Sequence, residues 1–410
     1  MRITKVMKNI ASLGAMQVIN YLLPIVLMPF LVVSIGIENV GLIATFTAIA
    51  AYMQLIIDYG FNLSATREIS KKGYDNDVAS VVTSAVLNIK LVLSLTFLVI
   101  SYLSFYFIDT LNVHTDIFML TIGIMIFQSF FPVWHFQSAE KMQYITVCNS
   151  LPKIIAAAMV FYFVKSPDDT WKVQACFFGG SLVSFIFALV ILKRNFDFRY
   201  GLSLADSILQ LKIGYSIFIA RFASGLYKNF NILVLGFFAG TSAVGVYSIA
   251  ERILRSAQMV QNVLGDSLYP SLAKKITGDP GFFKETAKKY KWLVILVYMI
   301  CAIIIFILSD FIGTLIGKTS ANDVSECLKI MSLAFLFGGL NYICAILGMT
   351  TCGYAKEFSI CVIATGIFNI FCATALTFLY SFYGASIALV LSELFLLCCV
   401  LFFSKKTGIL

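Results

Sequence analysis

Long apolar stretches alternate with short clusters of charged residues along the whole chain. Residues Asn9 to Ile37 and Phe358 to Ser392 contain no charged residue at all. A helix needs about 20 apolar residues to cross a hydrocarbon core of about 30 Å. The second stretch is long enough to cross twice, with a turn predicted at Tyr383-Gly384. The pattern predicts twelve membrane-spanning helices, over residues 10–34, 42–60, 78–108, 117–137, 145–164, 173–192, 213–238, 244–268, 292–317, 330–351, 358–380 and 384–403.

The composition excludes a soluble globular protein of this length. Of the 410 residues 60% are hydrophobic and only 12% are charged, and the mean hydropathy is +0.91. A chain this apolar cannot remain solvated, so neither disorder nor a set of soluble domains fits. We expect an all-α integral membrane protein.

The placement of the basic residues predicts the orientation. The net charge is +9, from 30 Lys and Arg against 21 Asp and Glu. With the N-terminus inside, the inward segments carry twenty basic residues and the outward segments only four. The positive-inside rule therefore predicts that both termini lie in the cytoplasm. The basic excess is explained by loop orientation, and no nucleic-acid partner is expected.

The two halves of the sequence repeat at a shift of 204 residues, and polar positions recur in register. The aligned pairs are Gly41 with Gly245, Gln54 with Gln258, Asp58 with Asn262 and Asn62 with Asp266. Because six spans separate the equivalent positions, the repeat is parallel, as in many duplicated transporters. We expect an N-terminal six-helix bundle over residues 1–192, a cytoplasmic linker over 193–212 and a C-terminal six-helix bundle over 213–410.

Charged side chains lie well inside the predicted spans, where they survive only beside partners or water. One face of the span over 244–268 carries Glu251, Arg255, Gln258, Asn262 and Asp266, at helical steps of 4, 3, 4 and 4. Ion pairs between helices could explain part of this pattern. However, the intramembrane cations outnumber the intramembrane acids Asp58, Glu251, Asp266 and Glu393; the cations are Lys90, Lys153, Arg221, Lys228, Arg252 and Arg255.

The surplus of cations predicts a water-filled cavity with a positive field, suited to an anionic substrate. The six cations are the candidate substrate-binding residues. The candidate polar or ion-coupling residues of the cavity are Asp58, Glu251, Asp266, Gln54, Gln258 and Asn262.

No pattern typical of a cofactor, a metal site or a catalytic centre is present. The ten cysteines fall mostly inside apolar spans without a CxxC pair, and no nucleotide-binding, hydrolase-elbow or zinc-protease motif occurs. We therefore expect no metal, no cofactor and no catalytic residue.

Three segments carry a resemblance to a known family. They are IGIENVG over residues 35–41, DYGFNLSATREIS over 58–70, and PVWHFQ over 132–137 followed by Glu140-Lys141-Met142. With the length and the twelve predicted spans, they resemble the bacterial O-antigen flippases, in the polysaccharide-transporter branch of the MATE-like MOP superfamily. His135 departs from the family pattern, in which a bulky apolar residue is expected.

The resemblance implies a V-shaped pair of bundles in the bacterial inner membrane that works by alternating access. The implied substrate is an undecaprenyl-diphosphate-linked O-antigen unit, moved from the cytoplasmic to the periplasmic leaflet. Membrane lipid, an O-antigen polymerase and a chain-length regulator are the implied partners.

Two other readings remain open at this point. A drug or metabolite exporter of the same superfamily would favour an acidic cavity for cationic substrates. A membrane-embedded polymerase or acyltransferase would be expected to carry a large outward loop or a His/Asp cluster, and the sequence has neither.

Overall fold

The computed structural model describes residues 2–71, 73–104, 107, 113–226, 229–278 and 281–409. Within them the chain is helical, with short connections. The helices are α1 Arg2–Ser34, α2 Gly36–Asp58, α3 Phe61–Ser70, α4 Asn76–Ser104, α5 Thr115–Phe130, α6 Val133–Ser138, α7 Met142–Phe163, α8 Thr170–Asn195, α9 Leu204–Leu226, α10 Phe230–Gly278, α11 Phe282–Ile312, α12 Ala321–Asn341 and α13 Ala355–Lys406. Short 3₁₀ or π-helical turns occupy Pro167–Asp169, Gly313–Gly317, Lys318–Ser320 and Tyr342–Thr350.

Among the described residues, nine helical stretches are long and apolar enough to cross a membrane, some of them with a short interruption. Helices suit this environment because every backbone N–H and C=O inside the hydrocarbon must be satisfied within the chain. Two of these stretches, over residues 282–350 and 355–406, are 69 and 52 residues long. The count of twelve spans stays a prediction.

Two long helices contain a break in their backbone. Gly240 in α10 adopts φ 79° and ψ 179°, and Ser381 in α13 adopts φ 53° and ψ −132°. The predicted turn at Tyr383-Gly384 is therefore misplaced by two residues. Gly384 has a different role there, since a Cβ at this position would lie 1.9 Å from the carbonyl oxygen of Leu376.

The span predicted over residues 117–137 is found, as the stretch Thr115–Ser138, but it is not a single helix. Helix α5 ends at Phe130, and α6 begins at Val133. Between them Phe131 is extended, with φ −61° and ψ 118°. The cause is Pro132, because a proline ring disfavours the helical conformation of the residue before it.

His135, the unexpected residue of α6, is explained by its hydrogen-bond partners outside that helix. Its side chain is fully buried, with Nδ1 2.9 Å from Thr83 Oγ1 and Nε2 2.9 Å from Tyr74 Oη. Both ring nitrogens are therefore hydrogen-bonded, which an apolar residue could not reproduce. Tyr74 lies in the connection before α4, where burial and the neighbouring Asp75 carboxylate raise its pKa to about 12.

The span predicted over residues 213–238 is also wrong as a single helix. Helix α9 begins at Leu204 and ends at Leu226, and α10 begins at Phe230 after a turn at Asn229. The early start of α9 follows from Ser203, whose Oγ accepts a hydrogen bond from the backbone N–H of Asp206 at 3.2 Å. A serine in this position is a typical helix N-cap. Within the predicted linker 193–212, only residues 196–203 are not helical.

The chain forms two compact units. Unit 1 comprises residues 1–23 and 46–225, and unit 2 comprises residues 24–45 and 226–410. The predicted division at residues 193–212 stays a prediction. In unit 1, buried apolar residues gather around Phe61 and Trp134, and in unit 2 around Phe283 and Met349.

Close backbone packing joins α2 to α10 within unit 2. A Cβ at Gly41 would lie 1.8 Å from the Thr241 carbonyl oxygen, and one at Gly245 would lie 2.3 Å from that of Ile37. Small residues allow this approach between helices in a membrane. These are the two glycines that the sequence repeat aligns with each other.

Candidate functional site

A polar cavity of about 190 Å³ lies inside unit 2. Helix α10 contributes charged and amide side chains at positions 251, 255 and 258, which lie on one face because they are spaced by 4 and 3 residues. Helix α13 contributes polar residues from both sides of its break at Ser381. The polar lining residues are Asn231, Glu251, Arg255, Gln258, Thr365, Asn369, Ser392 and Glu393.

An ion pair lies at the edge of this cavity. Arg255 donates from Nε and from Nη2 to Glu251 Oε1, at 3.0 and 2.6 Å. The Glu251 side chain is 8% exposed, whereas that of Arg255 is 42% exposed. The arginine is thus held by a buried carboxylate, while a large part of its side chain is exposed.

A second carboxylate lines the same cavity. Glu393 Oε2 accepts a hydrogen bond of 2.8 Å from Nδ2 of Asn341, and the same Nδ2 lies 2.9 Å from the backbone oxygen of Glu393. Asn341 is buried on α12, so α12 and the second stretch of α13 are tied together here.

Two asparagines of the lining have buried amide oxygens without a described protein partner. Asn231 donates to Tyr247 Oη at 3.1 Å, and Asn369 donates to Ser392 Oγ at 2.9 Å. Their Oδ1 atoms accept no hydrogen bond from the described part of the chain. Buried polar oxygens of this kind need water or a bound donor or cation.

The charge of this cavity differs from the expected positive field. The lining includes two carboxylates, Glu251 and Glu393, and one cation, Arg255, and Arg252 lies close enough to Glu251 to interact with its charge. Any anion entering the cavity would therefore need the carboxylates to be neutralised or displaced. The sequence-wide surplus of cations does not predict the local balance, because the cations are distributed over both units.

Lys90 occupies a closed position in unit 1. Its side chain is 0% exposed, and its Nζ lies 2.8 Å from Asp58 Oδ1 and 2.5 Å from the backbone oxygen of Ser129. The same Nζ lies 4.7 Å from the centre of the Trp134 ring. In this conformation the Lys90 charge is neutralised by the Asp58 carboxylate, and the fully buried side chain is not accessible to a substrate anion.

Lys153 lies beside a much smaller cavity of about 20 Å³ in unit 1, large enough for about one water molecule. Its Nζ donates to Asn20 Oδ1 at 2.9 Å. Among the described residues no carboxylate lies within the 4 Å that defines an ion pair with Lys153. The small volume leaves no room for a diphosphate.

The structure does not gather the remaining candidates into this cavity. Arg221 is exposed on α9, and Arg252, Gln54 and Asn262 are half-buried. The backbone oxygen of Asn262 accepts a hydrogen bond from Tyr342. Lys228 and the side chain of Asp266 lie outside the described part of the structure.

Three residues of the cavity are predicted from the sequence, and others are not. Glu251, Arg255 and Gln258 share the cavity as their spacing predicts. Thr365, Asn369 and Ser392 were missed because each is a single uncharged polar residue in an otherwise apolar segment. Asn341 was missed for the same reason. A lone carboxamide inside a span is the signal that could have found Asn341 and Asn369.

Fold and site together define a multi-pass helical membrane protein with a charged cavity inside one of its units. The chain belongs to the polysaccharide biosynthesis protein family, whose profile matches residues 6–276. It is similar to a protein of Escherichia coli strain K12 named "Putative O-antigen transporter", with 28% identity over 98% of this chain and 97% of that protein.

Two solved structures share the fold. The lipid II flippase MurJ in an inward closed conformation superimposes with a TM-score of 0.78 at 12% identity, covering 97% of this chain and 87% of MurJ. An inward-facing multidrug resistance MATE transporter of the MOP superfamily gives a TM-score of 0.75 at 14% identity, covering 95% of this chain and 94% of the transporter. The resemblance to the MOP superfamily is thereby confirmed for the fold.

Proposed function

We propose that this protein is a flippase that moves an undecaprenyl-diphosphate-linked O-antigen oligosaccharide from the cytoplasmic to the periplasmic leaflet of the bacterial inner membrane. The observation that carries the proposal is the similarity over nearly the whole length of both chains to the E. coli protein named as an O-antigen transporter. The charged cavity of unit 2 supports it, because a sugar diphosphate cannot cross hydrocarbon without a polar path.

Within this cavity Arg255 is the proposed partner of the diphosphate. A guanidinium can bind phosphate oxygens with two parallel hydrogen bonds, and the side chain of Arg255 is partly open. Glu251 occupies the guanidinium in the described conformation. We therefore propose an exchange of partners, in which phosphate replaces Glu251 at Arg255.

A cation bound to the carboxylates would favour this exchange. If Arg255 left Glu251 for the phosphate, both Glu251 and Glu393 would face the cavity without a guanidinium partner. A proton or sodium ion bound there would remove this cost. A diphosphate of about two negative charges gains roughly 4–5 kcal/mol per 100 mV on leaving a negative interior, so a coupled ion is not required for export itself. Its proposed role is to reset the carrier.

The surrounding architecture is part of the proposal. The sequence repeat supports twelve spans in two parallel six-helix bundles, and the distribution of basic residues supports cytoplasmic termini. The V shape and alternating access are what the family resemblance implies. Arg221, Lys228 and Arg252 are proposed to attract the anion on its way. Polymerase and chain-length regulator remain proposed partner proteins.

One observation favours a second candidate, an exporter of cationic drugs or metabolites. The cavity of unit 2 holds two carboxylates and one arginine, which suits a cation better than an anion. A multidrug MATE transporter is among the structures that share this fold.

Proteoliposomes that contain the purified protein distinguish the two candidates. We expect a fluorescent undecaprenyl-diphosphate oligosaccharide to move between leaflets, and a cationic dye to remain where it was loaded. Movement of the dye without movement of the lipid would replace the flippase with the exporter. Imposing a membrane potential without a proton or sodium gradient in the same vesicles tests whether a coupled ion is required.

A further inference from the structure

An open groove of about 450 Å³ lies on unit 1. Its walls are α4 and α8, with the end of α5 and the connection after α8 completing it. Six of its eight lining residues are apolar: Leu87, Leu91, Phe130, Phe185, Leu189 and Phe198. The remaining two are Lys193 and Tyr200. This volume is within the range of binding pockets for small molecules, and it exceeds that of the two polar cavities.

The groove has an apolar floor and a cationic end. Phe185, Leu189 and Lys193 are spaced by four residues and therefore line one face of α8 over about 12 Å. Lys193 is in the last turn of the helix, which ends at Asn195. The apolar part thus fits within one leaflet of about 15 Å, which would place the lysine at the level of the lipid headgroups.

The connection after α8, which completes the groove, is hydrogen-bonded to α4. The Tyr200 hydroxyl donates to Asn88 Oδ1, and Asn88 Nδ2 donates to the Gly201 oxygen at 3.1 Å. One turn earlier on α4, Ser84 Oγ accepts a hydrogen bond of 3.1 Å from the Gly201 N–H. The connection after α8 is therefore held along α4, with Tyr200 at the rim of the groove.

Positive charge at this end is available to a ligand. Lys193 lines this end of the groove, and Arg199 lies in the chain between the lining residues Phe198 and Tyr200; both basic residues are exposed. In the described part of the chain, no carboxylate forms an ion pair with either side chain, although Asp197 is close in sequence. A ligand for the groove needs an apolar chain joined directly to an anionic group.

We propose that this groove binds the polyprenyl diphosphate end of the substrate before it enters the transport path. The chain would lie over Leu91 and Leu189, and the diphosphate would lie at Lys193 and Arg199. Two cations match the roughly two charges of a diphosphate better than a zwitterionic phospholipid, which has no net charge. The inference rests on the proposed function and on the proposed cytoplasmic position of the end of α8.

The test is photolabelling of the purified full-length protein with a diazirine-bearing undecaprenyl diphosphate. We expect adducts on α4 and α8 within the groove, competed by unlabelled undecaprenyl diphosphate but not by an equal excess of phosphatidylglycerol or phosphatidylethanolamine. Equal competition by either phospholipid would overturn the assignment to the substrate lipid. Adducts confined to other helices would overturn the site.

Two adjacent residues of α4 provide a matched pair of variants. Leu91 lines the groove, whereas Val92 is 64% exposed and does not line it. Leu91→Trp should lower labelling about tenfold by displacing part of the chain, and Val92→Trp should leave it unchanged. Equal labelling of the two variants would contradict the proposal, provided that both elute and unfold like the wild type.

A charge variant tests the headgroup end. The double variant Lys193→Gln/Arg199→Gln should weaken labelling, whereas Lys212→Gln, an exposed lysine on α9, should not. The flipping assay separates the two claims. Wild-type flipping with unchanged Leu91→Trp labelling rejects the groove alone, whereas a folded wild type that labels in the groove but never flips rejects the proposed function.

Discussion

Each unit holds an ion pair inside apolar helices, but the two pairs have different surroundings. In unit 1, Lys90 is 0% exposed and meets Asp58, a backbone oxygen and the ring of Trp134. In unit 2, Arg255 meets Glu251 with 42% of its side chain exposed, beside a cavity of about 190 Å³. The same chemistry thus provides a closed structural contact in one place and an open binding group in the other.

The comparison shows that charge inside a membrane does not by itself identify a binding residue. A cation whose partners are all protein groups has no capacity left for a substrate. A cation with an exposed side chain beside a cavity can still bind a substrate. We therefore place Arg255 in the proposed site and treat the Lys90–Asp58 pair as a structural contact.

The largest effect is expected from breaking the closed pair. Asp58→Ala leaves the Lys90 charge buried without its carboxylate, which should destabilise the folded protein by about 3–5 kcal/mol. Thermal unfolding in detergent and the yield of folded protein measure this loss. Wild-type stability in this variant would contradict the structural role.

The double variant Asp58→Leu/Lys90→Met is the matched control for the closed pair. Because it removes both charges, it should recover most of the lost stability. It should also retain transport, which a substrate-binding or ion-coupling role of either residue would not allow.

The next largest effect concerns the open pair. Arg255→Ala should lower transport roughly 10- to 100-fold, because it removes a charge-assisted contact with phosphate. The stability should also fall by about 1–3 kcal/mol, because the buried Glu251 carboxylate loses its guanidinium partner. O-antigen display in a strain lacking the native protein, compared at equal protein abundance, measures the effect. Full display would remove Arg255 from the site.

Conservative exchanges sharpen the contrast. Lys90→Arg inserts a larger group into a closed position and should cost about 1–3 kcal/mol of stability. Arg255→Lys should leave stability unchanged and reduce transport, because an ammonium cannot form the two parallel hydrogen bonds. Unfolding curves and transport rates of both variants are the measurement. A stable Lys90→Arg protein would show that its position is not closed.

The smallest effect is expected at the second carboxylate of the cavity. Glu393→Gln keeps a side chain that can still accept from Asn341, so transport driven by potential alone should stay within about threefold of the wild type. Any dependence on a proton or sodium gradient should weaken. A gradient dependence equal to that of the wild type would exclude Glu393 as the cation site.

The class of fold could be predicted from the sequence, because hydropathy and helical spacing determine it. Hydropathy locates apolar helices, and the spacing of Glu251, Arg255 and Gln258 places them on one face. The sequence misplaced breaks that depend on local detail, such as Pro132, the cap at Ser203 and the backbone at Ser381.

The candidate site was predicted only in part, because three-dimensional packing decides which charged side chains form ion pairs. The surplus of cations pointed to an anion path, but Lys90 and Asp58 meet across 32 positions of sequence. Nor could the sequence show that Glu393 joins Glu251 at one cavity. Burial and partner identity, which decide whether a charge is available, follow from the folded arrangement.

The most direct test of the central claim compares two variants in one flipping assay. Proteoliposomes with Arg255→Ala and with Asp58→Leu/Lys90→Met should be loaded with the same amount of folded protein and the same fluorescent undecaprenyl-diphosphate oligosaccharide. We predict that the double variant flips the lipid at a rate close to that of the wild type, whereas Arg255→Ala does not. Wild-type flipping by Arg255→Ala together with an inactive but folded double variant would contradict the account.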